Sequence, residues 1–184
     1  MQKNLPEKKN YARIITESAV LIALGTVLSL IQVYKMPQGG AVTLGSMVPL
    51  LILAARRGPK VGCAAGAIFG IIQCVIDPMV YHPVQFILDY PLAFALLGLS
   101  GFVTGSVAKV GLGSVIGMAG RFASHLISGV VFFGQYAPKG QNVWLYSFLY
   151  QLSYLGMDML IAIVAMVILW KPLETYVFKR KLSH

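Results

Sequence analysis

Apolar stretches about as long as a membrane is thick recur along the chain and are separated by short breaks rich in proline and glycine. An α-helix needs roughly 20 residues to cross about 30 Å of hydrocarbon, and proline and glycine mark where such helices end. This pattern predicts an all-α integral membrane protein, a compact bundle of six transmembrane helices that uses residues 1–184 as a single domain. The predicted helices cover residues 11–34, 45–57, 59–77, 84–108, 113–135 and 143–171, of which the second is short.

The composition supports a membrane environment, since 57% of the residues are hydrophobic and only 11% are charged. A formal net charge of +9 would suggest a nucleic-acid partner in a soluble protein, but the positions of the charges argue otherwise. With the N-terminus inside the cell, basic residues concentrate on the cytoplasmic side, and only Lys35 and Lys139 lie outside. The positive-inside rule therefore predicts two cytoplasmic termini in a cell membrane, contact with anionic lipid and no nucleic-acid partner. The cytoplasmic set is Lys3, Lys8, Lys9, Arg13, Arg56, Arg57, Lys60, Lys109, Lys171, Lys179, Arg180 and Lys181.

Small residues form a stripe on two of the predicted helices. The third helix carries Gly62 and Gly66 within a run of glycines spaced by four, and the first carries Ala19 and Ala23 at the same spacing. Such faces allow another helix to approach closely. The pattern fits both packing inside the bundle and docking against another membrane protein, and it does not separate the two.

The fifth predicted helix carries Arg121, His125 and Gly129 at successive spacings of four, so all three project to one side. A charged side chain at bilayer depth costs at least about 2.5 kcal/mol, and it is usually kept where it faces a cavity or a partner. At 1.5 Å per residue, Asp158 on the sixth helix falls near the level of Arg121. We therefore expect these two charges to pair.

The outer halves of the last three predicted helices concentrate polar and aromatic side chains. Aromatic rings, a carboxylate, an imidazole and an amide around a gap left by a small residue suit a small, flat, polar ligand. Each residue also has a purely structural alternative, such as ring packing, a His bonded to a neighbouring helix, or an acid hydrated at the membrane surface. The converging set is Asp89, Tyr90, His125, Gly129, Phe133, Tyr146 and Gln151.

Long stretches of the sequence are similar to one family. The run from Met36 to Pro49, followed by Arg56-Arg57-Gly58, resembles the start of the ThiT (YuaJ) thiamine transporters. The segments 121–133, 135–140 and 146–147 resemble that family's fifth helix, the loop after it and its sixth helix. The likeness covers nearly the whole chain.

The resemblance implies a function as well as a fold. It implies an S component of an energy-coupling factor (ECF) importer, which captures thiamine from outside and docks on a transmembrane T component with two cytoplasmic ATPases. It further implies no enzymatic activity and no cofactor, with ATP used only by the partner subunits. The sequence indeed has no phosphate-binding Gly-Lys-Ser/Thr loop. By the same likeness, the small residues Ala19, Ala23, Gly62 and Gly66 become the face that docks on the T component.

The family's ligand-binding positions fall on residues already singled out. Three of them depart from the family's usual pattern, with Asp89 in place of a frequent Glu, Phe133 in place of a stacking Trp, and Gln151 in place of an Asn. We expect these changes to alter affinity and ligand pose more than ligand class. The implied substrate-binding residues are Asp89, Tyr90, Arg121, His125, Gly129, Phe133, Tyr146 and Gln151, with Tyr81 aligned only roughly.

Two alternatives stay open from the sequence. One is an S component for another vitamin, such as riboflavin or biotin. The other is an intramembrane serine protease that uses Ser100, in Gly98-Leu99-Ser100-Gly101, with His125 as its base. The predicted helices place Ser100 about 24 Å and His125 about 12 Å below the external surface, which is too far apart for a hydrogen bond.

Overall fold

The computed structural model describes residues 5–178, with side chains described for residues 11–175. It contains six helices in the predicted order and one two-stranded sheet. The fourth of these helices is built from four differently wound segments, and a short π-helical stretch, Leu173–Phe178, follows the sixth. The elements are α1 Leu5–Ser29, β1 Gln32–Lys35, β2 Ala41–Thr43, α2 Val48–Arg57, α3 Pro59–Ile76, α4 Pro83–Phe102, α5 Val107–Phe132 and α6 Val143–Pro172.

Five of the described helices are long and apolar enough to cross a membrane, namely α1, α3, α4, α5 and α6. Helix α2 is the exception, because its 10 residues rise only about 15 Å, half the thickness of the hydrocarbon core. It packs within the bundle against α1, α3 and α4. The chain is thus an all-α integral membrane protein of six helices, one of which is too short to span the bilayer alone.

The prediction that the first helix continues to residue 34 is wrong. Helix α1 ends at Ser29, and the apolar residues beyond it form β1, which pairs antiparallel with β2 through Tyr34 opposite Val42. Hydrophobicity alone does not separate a short apolar strand from the end of a helix. Gly39 and Gly40 close the hairpin with positive φ angles of 86° and 92°, a conformation that suits glycine.

Part of the hairpin is buried inside the bundle. Its second strand and the turn before α2 bury Val42, Thr43, Ser46 and Met47 among the helices. Non-helical backbone at membrane depth is tolerated where it is buried in protein or lines a cavity. Part of the segment between the first two predicted helices therefore forms one wall of the bundle interior, and α2 begins at Val48, not at residue 45.

Helix α4 is irregular over most of its length. Its segments are α-helical from Pro83 to Ile87, π-helical from Leu88 to Leu92, α-helical from Ala93 to Ala95, and 3₁₀-helical from Leu96 to Phe102. Pro91 lies in the π-helical segment, where its missing N–H and its ring interrupt the regular hydrogen-bond ladder.

A hydrogen bond from α5 stabilises the irregular turn of α4. Ser124 of α5 donates a hydrogen bond to the carbonyl of Leu88 at 2.6 Å, which occupies a backbone acceptor in the distorted turn. Asp89 and Tyr90 lie in this π-helical segment, and such segments are frequent at functional sites.

The predicted boundary between the fourth and fifth helices is also wrong. Helix α4 ends at Phe102, well before residue 108, and α5 begins at Val107, well before residue 113. Gly105 between them has a φ of 116°, which no regular helix accommodates. The side chain of Ser106 then caps α5 by accepting a hydrogen bond from the backbone N–H of Lys109 at 3.3 Å.

The glycine stripe of α3 is used for packing inside the chain. A Cβ at Gly66 would lie 2.1 Å from the carbonyl oxygen of Phe94, and one at Gly62 would lie 2.5 Å from the Cβ of Ala54. The docking role expected of Gly62 and Gly66 does not fit this buried position, because α2 and α4 already occupy the groove. Ala19 and Ala23 on α1 are exposed.

At the end of α2 away from the hairpin, Glu17 joins α1 to the turn between α2 and α3. Its carboxylate forms salt bridges with both Arg56 and Arg57, including a 3.0 Å hydrogen bond from the Nε of Arg57. The two neighbouring guanidinium groups therefore share one acid in a half-buried position.

Candidate functional site

A cavity of about 150 Å³ lies between the hairpin and helices α3 to α6, and we call it the chamber. One water molecule needs roughly 10–15 Å³ on this measure, so the chamber has room for roughly ten waters or one small organic molecule. Eight of the residues predicted to bind substrate line it. These are Asp89, Tyr90, Arg121, His125, Gly129, Phe133, Tyr146 and Gln151.

Tyr81 is the predicted site residue that the structure does not bring to the chamber. Its side chain is 65% exposed, and its ring meets the edge of Phe133 with the centroids 5.8 Å apart. Its backbone N–H donates to the side chain of Gln85. Tyr81 thus supports two residues that line the chamber and does not itself line it.

The carboxylate of Asp89 is held by two partners. His125 Nδ1 lies 3.1 Å from Asp89 Oδ1, and Gln85 Nε2 donates to Asp89 Oδ2 at 2.5 Å. Gln85 is fixed in turn, because it also donates to the carbonyl of Met79 and accepts from Tyr81 N–H. This arrangement excludes the alternative that Asp89 is merely hydrated at the membrane surface. In the neutral tautomer that donates from Nδ1 to Asp89, the Nε2 of His125 is an acceptor.

The charge of Arg121 is compensated inside the protein. Arg121 Nη1 lies 3.1 Å from Asp158 Oδ2, with the two side chains only 7% and 1% exposed, so the predicted pairing is confirmed. The guanidinium also lies over the ring of Phe94, 4.6 Å from its centroid, in a cation–π contact.

Asp158 also holds the hairpin. Its Oδ1 accepts two hydrogen bonds from Thr43, one from the backbone N–H and one from the hydroxyl, both at 3.0 Å. The hydroxyl of Thr43 is in addition 2.6 Å from that of Ser46. The sequence pattern assigns neither Thr43 nor Ser46 to the site, because a short polar segment next to glycines is typical of a surface loop.

The tyrosines of α6 fix both the hairpin and α5. The hydroxyl of Tyr150 accepts from the backbone N–H of Gln38 at 2.9 Å and donates to the carbonyl of Gly39 at 3.0 Å. One helical turn further, Tyr154 donates to the amide oxygen of Gln151 at 2.6 Å, and that amide donates to the carbonyl of His125. Tyr150 and Tyr154 therefore line the chamber as well, although the sequence assigns neither of them to the site.

Gly129 lets α5 and α6 meet closely beside the chamber. A Cβ at this position would lie 2.2 Å from the hydroxyl of Ser147 and 3.2 Å from the amide nitrogen of Gln151. Ser147 donates to the carbonyl of Leu126, which ties the two helices together at this level. A side chain at residue 129 would therefore displace α6 or the polar groups it presents.

The geometry does not fit a serine protease. The hydroxyl of Ser100 is buried and has no hydrogen-bond partner among the described side chains, and His125 Nδ1 is engaged with Asp89. A nucleophile of this kind needs a base within hydrogen-bond reach.

The chamber combines one acid that has no Lys or Arg partner among the described residues with aromatic walls. Asp158 is paired with Arg121, and Asp77 is paired with Lys35. The carboxylate of Asp89, bonded to the amide of Gln85 and the imidazole of His125, is therefore the charge that remains to meet a ligand. Aromatic faces attract cations and stack on flat rings. The rings that line the chamber are those of Tyr90, Phe94, Phe133, Tyr146, Tyr150 and Tyr154.

The fold and the chamber define a polytopic membrane protein with a cavity between its helices that is lined by aromatic and polar side chains. A family model described as "Thiamine transporter protein (Thia_YuaJ)" matches residues 15–177, and the chain belongs to this family. Among its relatives, the thiamine transporter ThiT of Bacillus subtilis (strain 168) is 35% identical over 180 residues, covering 89% of this chain and 93% of the relative. The thiamine transporter ThiT of Lacticaseibacillus paracasei is 35% identical over 151 residues, covering 73% of this chain and 75% of the relative.

A solved structure shares the fold. ThiT from Listeria monocytogenes superposes with a TM-score of 0.73 at 24% identity, covering 92% of this chain and 97% of that one. The family and relatives are named as transporters, which agrees with the prediction that this chain is not an enzyme.

Proposed function

We propose that this chain is the thiamine-binding S component of an ECF importer. The observation that carries the proposal is the state of the three acids that line the chamber, of which Asp77 is paired with Lys35. Asp158 is committed to Arg121 and Thr43, whereas Asp89 is held in the aromatic chamber by a neutral amide and an imidazole. The chamber therefore keeps one carboxylate for a cationic ligand.

The chemistry of thiamine fits these groups. Its thiazolium ring carries a fixed positive charge, which Asp89 offsets. Its two rings are flat and stack on aromatic faces such as those of Phe133 and Tyr146. The aminopyrimidine offers both donors and acceptors, and His125 Nε2 is buried without a partner among the described residues, so it is free to bond one of them. The amide of Gln151, by contrast, is already shared between Tyr154 and His125.

The proposal extends to the complex in which the chain works. A T component and two ATPases supply the energy, and this chain uses neither ATP nor a cofactor. Both termini lie in the cytoplasm, as the distribution of basic residues indicates. Of those basic residues, Lys3, Lys179, Arg180 and Lys181 lie outside the described part of the chain. Ala19 and Ala23, exposed on α1, are the docking face for the T component.

The docking assignment is tested by Ala19→Trp. The bulky ring is expected to block approach of a partner helix, so that cells lose thiamine uptake while the purified protein still binds thiamine. Leu160→Trp, on an exposed position of α6, is the matched control and should retain uptake. Loss of thiamine binding in Ala19→Trp would contradict this division of roles.

The ligand assignment is tested by a calorimetric titration of the purified protein with thiamine, riboflavin and biotin. Thiamine alone carries a fixed cation, so it is expected to bind and neither of the others to displace it at equal concentration. Displacement by riboflavin or biotin would assign the chamber to another vitamin.

A further inference from the structure

One polar side chain of the chamber has no role in the site described so far. Gln73 lies in the last turn of α3. It lines the chamber, and its amide nitrogen is buried without a hydrogen-bond partner among the described residues.

Two other glutamines of the chamber show the contrast. The amide of Gln85 bonds Asp89, Met79 and Tyr81, and the amide of Gln151 bonds Tyr154 and His125. Both are therefore fully used to hold the protein together. Gln73 makes no such bond within the described structure, although an unpaired buried amide is unfavourable.

Gln73 lies at the level of the bundle where α4 carries Asp89 and Tyr90. Gly70, almost one turn earlier on α3, lets α4 come so close that a Cβ there would lie 2.3 Å from the carbonyl oxygen of Tyr90. The backbone carbonyl of Gln73 accepts from Asp77 N–H, and the carbonyl of Asp77 accepts from the hydroxyl of Tyr90. The α3 wall is thus fixed against the π-helical segment that carries Asp89.

We propose that Gln73 is a ligand-contacting residue that determines specificity, and that its amide bonds an uncharged polar group of the ligand. The terminal torsion of glutamine is soft, so the amide turns either its NH₂ or its carbonyl to the chamber at small cost. Asp89 meets the cation, and Gln73 selects for a hydroxyl or a heterocyclic nitrogen. This inference rests on the proposed function, in which thiamine supplies such groups.

A ligand contact and a structural role predict opposite effects of replacing Gln73 on the stability of the ligand-free protein. Gln73→Met keeps the length of the side chain and removes its hydrogen bonding. Thiamine binding is expected to weaken roughly tenfold, the worth of one hydrogen bond to a ligand group left unpaired. The ligand-free protein is expected to melt at the same temperature or a few degrees higher, because an unpaired buried group is removed.

The matched control is Gln85→Met, an identical substitution at a glutamine whose amide is fully bonded. It is expected to lower the melting temperature of the ligand-free protein. The experiment measures thermal unfolding without ligand and calorimetric titration with thiamine for the wild type and both variants. Opposite changes in melting temperature, together with weaker thiamine binding by Gln73→Met, support the proposal.

Three results would overturn it in distinguishable ways. If Gln73→Met binds thiamine as well as the wild type does, Gln73 is not a ligand contact, and the proposed function stands. If it lowers the melting temperature of the ligand-free protein as Gln85→Met does, Gln73 has a structural role. If the wild type itself does not bind thiamine, the proposed function and this inference both fall.

Discussion

Replacement of Asp158 by alanine is expected to destabilise the protein more than loss of any exposed ion pair. Asp158 is the shared acceptor of Arg121 and of both donors of Thr43, and it is almost completely buried. Its removal leaves a buried guanidinium without a counter-charge and a strand N–H without an acceptor. This one carboxylate contributes both to the α5–α6 contact and to the anchoring of the hairpin.

The expected magnitude follows from these contacts. Removal of one partner from a buried ion pair costs about 3–5 kcal/mol, because the other charge stays buried. Arg121 lines the chamber and keeps its contact with the ring of Phe94, so partial hydration favours the lower end of this range. About 3 kcal/mol corresponds to a fall of roughly 6–12 °C in melting temperature for a chain of this size.

The assay is thermal unfolding of the detergent-solubilised protein, followed by circular dichroism. Asp77→Ala is the matched control, since Asp77 pairs with Lys35 at 2.6 Å with side chains 51% and 50% exposed. Such a surface pair contributes about 0–1 kcal/mol, so the control should melt close to the wild type. The double variant Arg121→Met with Asp158→Leu should recover part of the loss, because it removes the unpaired charge.

A melting temperature of Asp158→Ala equal to that of Asp77→Ala would refute the reasoning. It would mean that Arg121 finds another partner or water at no cost, and that the hairpin is held without Asp158.

Two further changes test how the helices and the hairpin shape the chamber. Gly129→Ala should weaken thiamine binding at least tenfold in a titration, because its Cβ would overlap the hydroxyl of Ser147. In the control Gly111→Ala, the new Cβ would lie 3.3 Å from one methyl group of Val167, so this variant should bind thiamine normally. Tyr150→Phe removes both hydrogen bonds to the hairpin turn, so thiamine should dissociate several-fold faster in stopped-flow measurements; the exposed Tyr34→Phe should leave the rate unchanged.

Hydrophobic segments and helical spacing predict much of this molecule. The number and order of the helices follow from the length of the apolar stretches, and α6 begins and nearly ends where the pattern predicts. The periodicity of α5 places Arg121, His125 and Gly129 on the chamber side. The pairing of Arg121 with Asp158 is correct although α5 begins well before the predicted residue, because a buried charge requires its opposite wherever the helix ends lie.

The part that the sequence does not predict involves contacts between distant residues. Thr43 reaches Asp158 across 115 positions of the chain, and nothing in a short glycine-flanked segment indicates that it enters the bundle. Pro91 indicates that α4 is distorted, but a proline inside a helix does not show what form the distorted turn takes. The glycines of α3 fit packing and docking equally well until the position of α4 is known.

The central claim is that Asp89 gives the chamber its affinity for the cation of thiamine. Its most direct test is the dissociation constant of thiamine, measured by calorimetry on purified wild type and on Asp89→Asn, which keeps the shape and removes the charge. Submicromolar binding by the wild type and at least a tenfold loss in Asp89→Asn are the predicted results. Binding weaker than micromolar by the wild type, or equal affinity of the two proteins, would contradict the account.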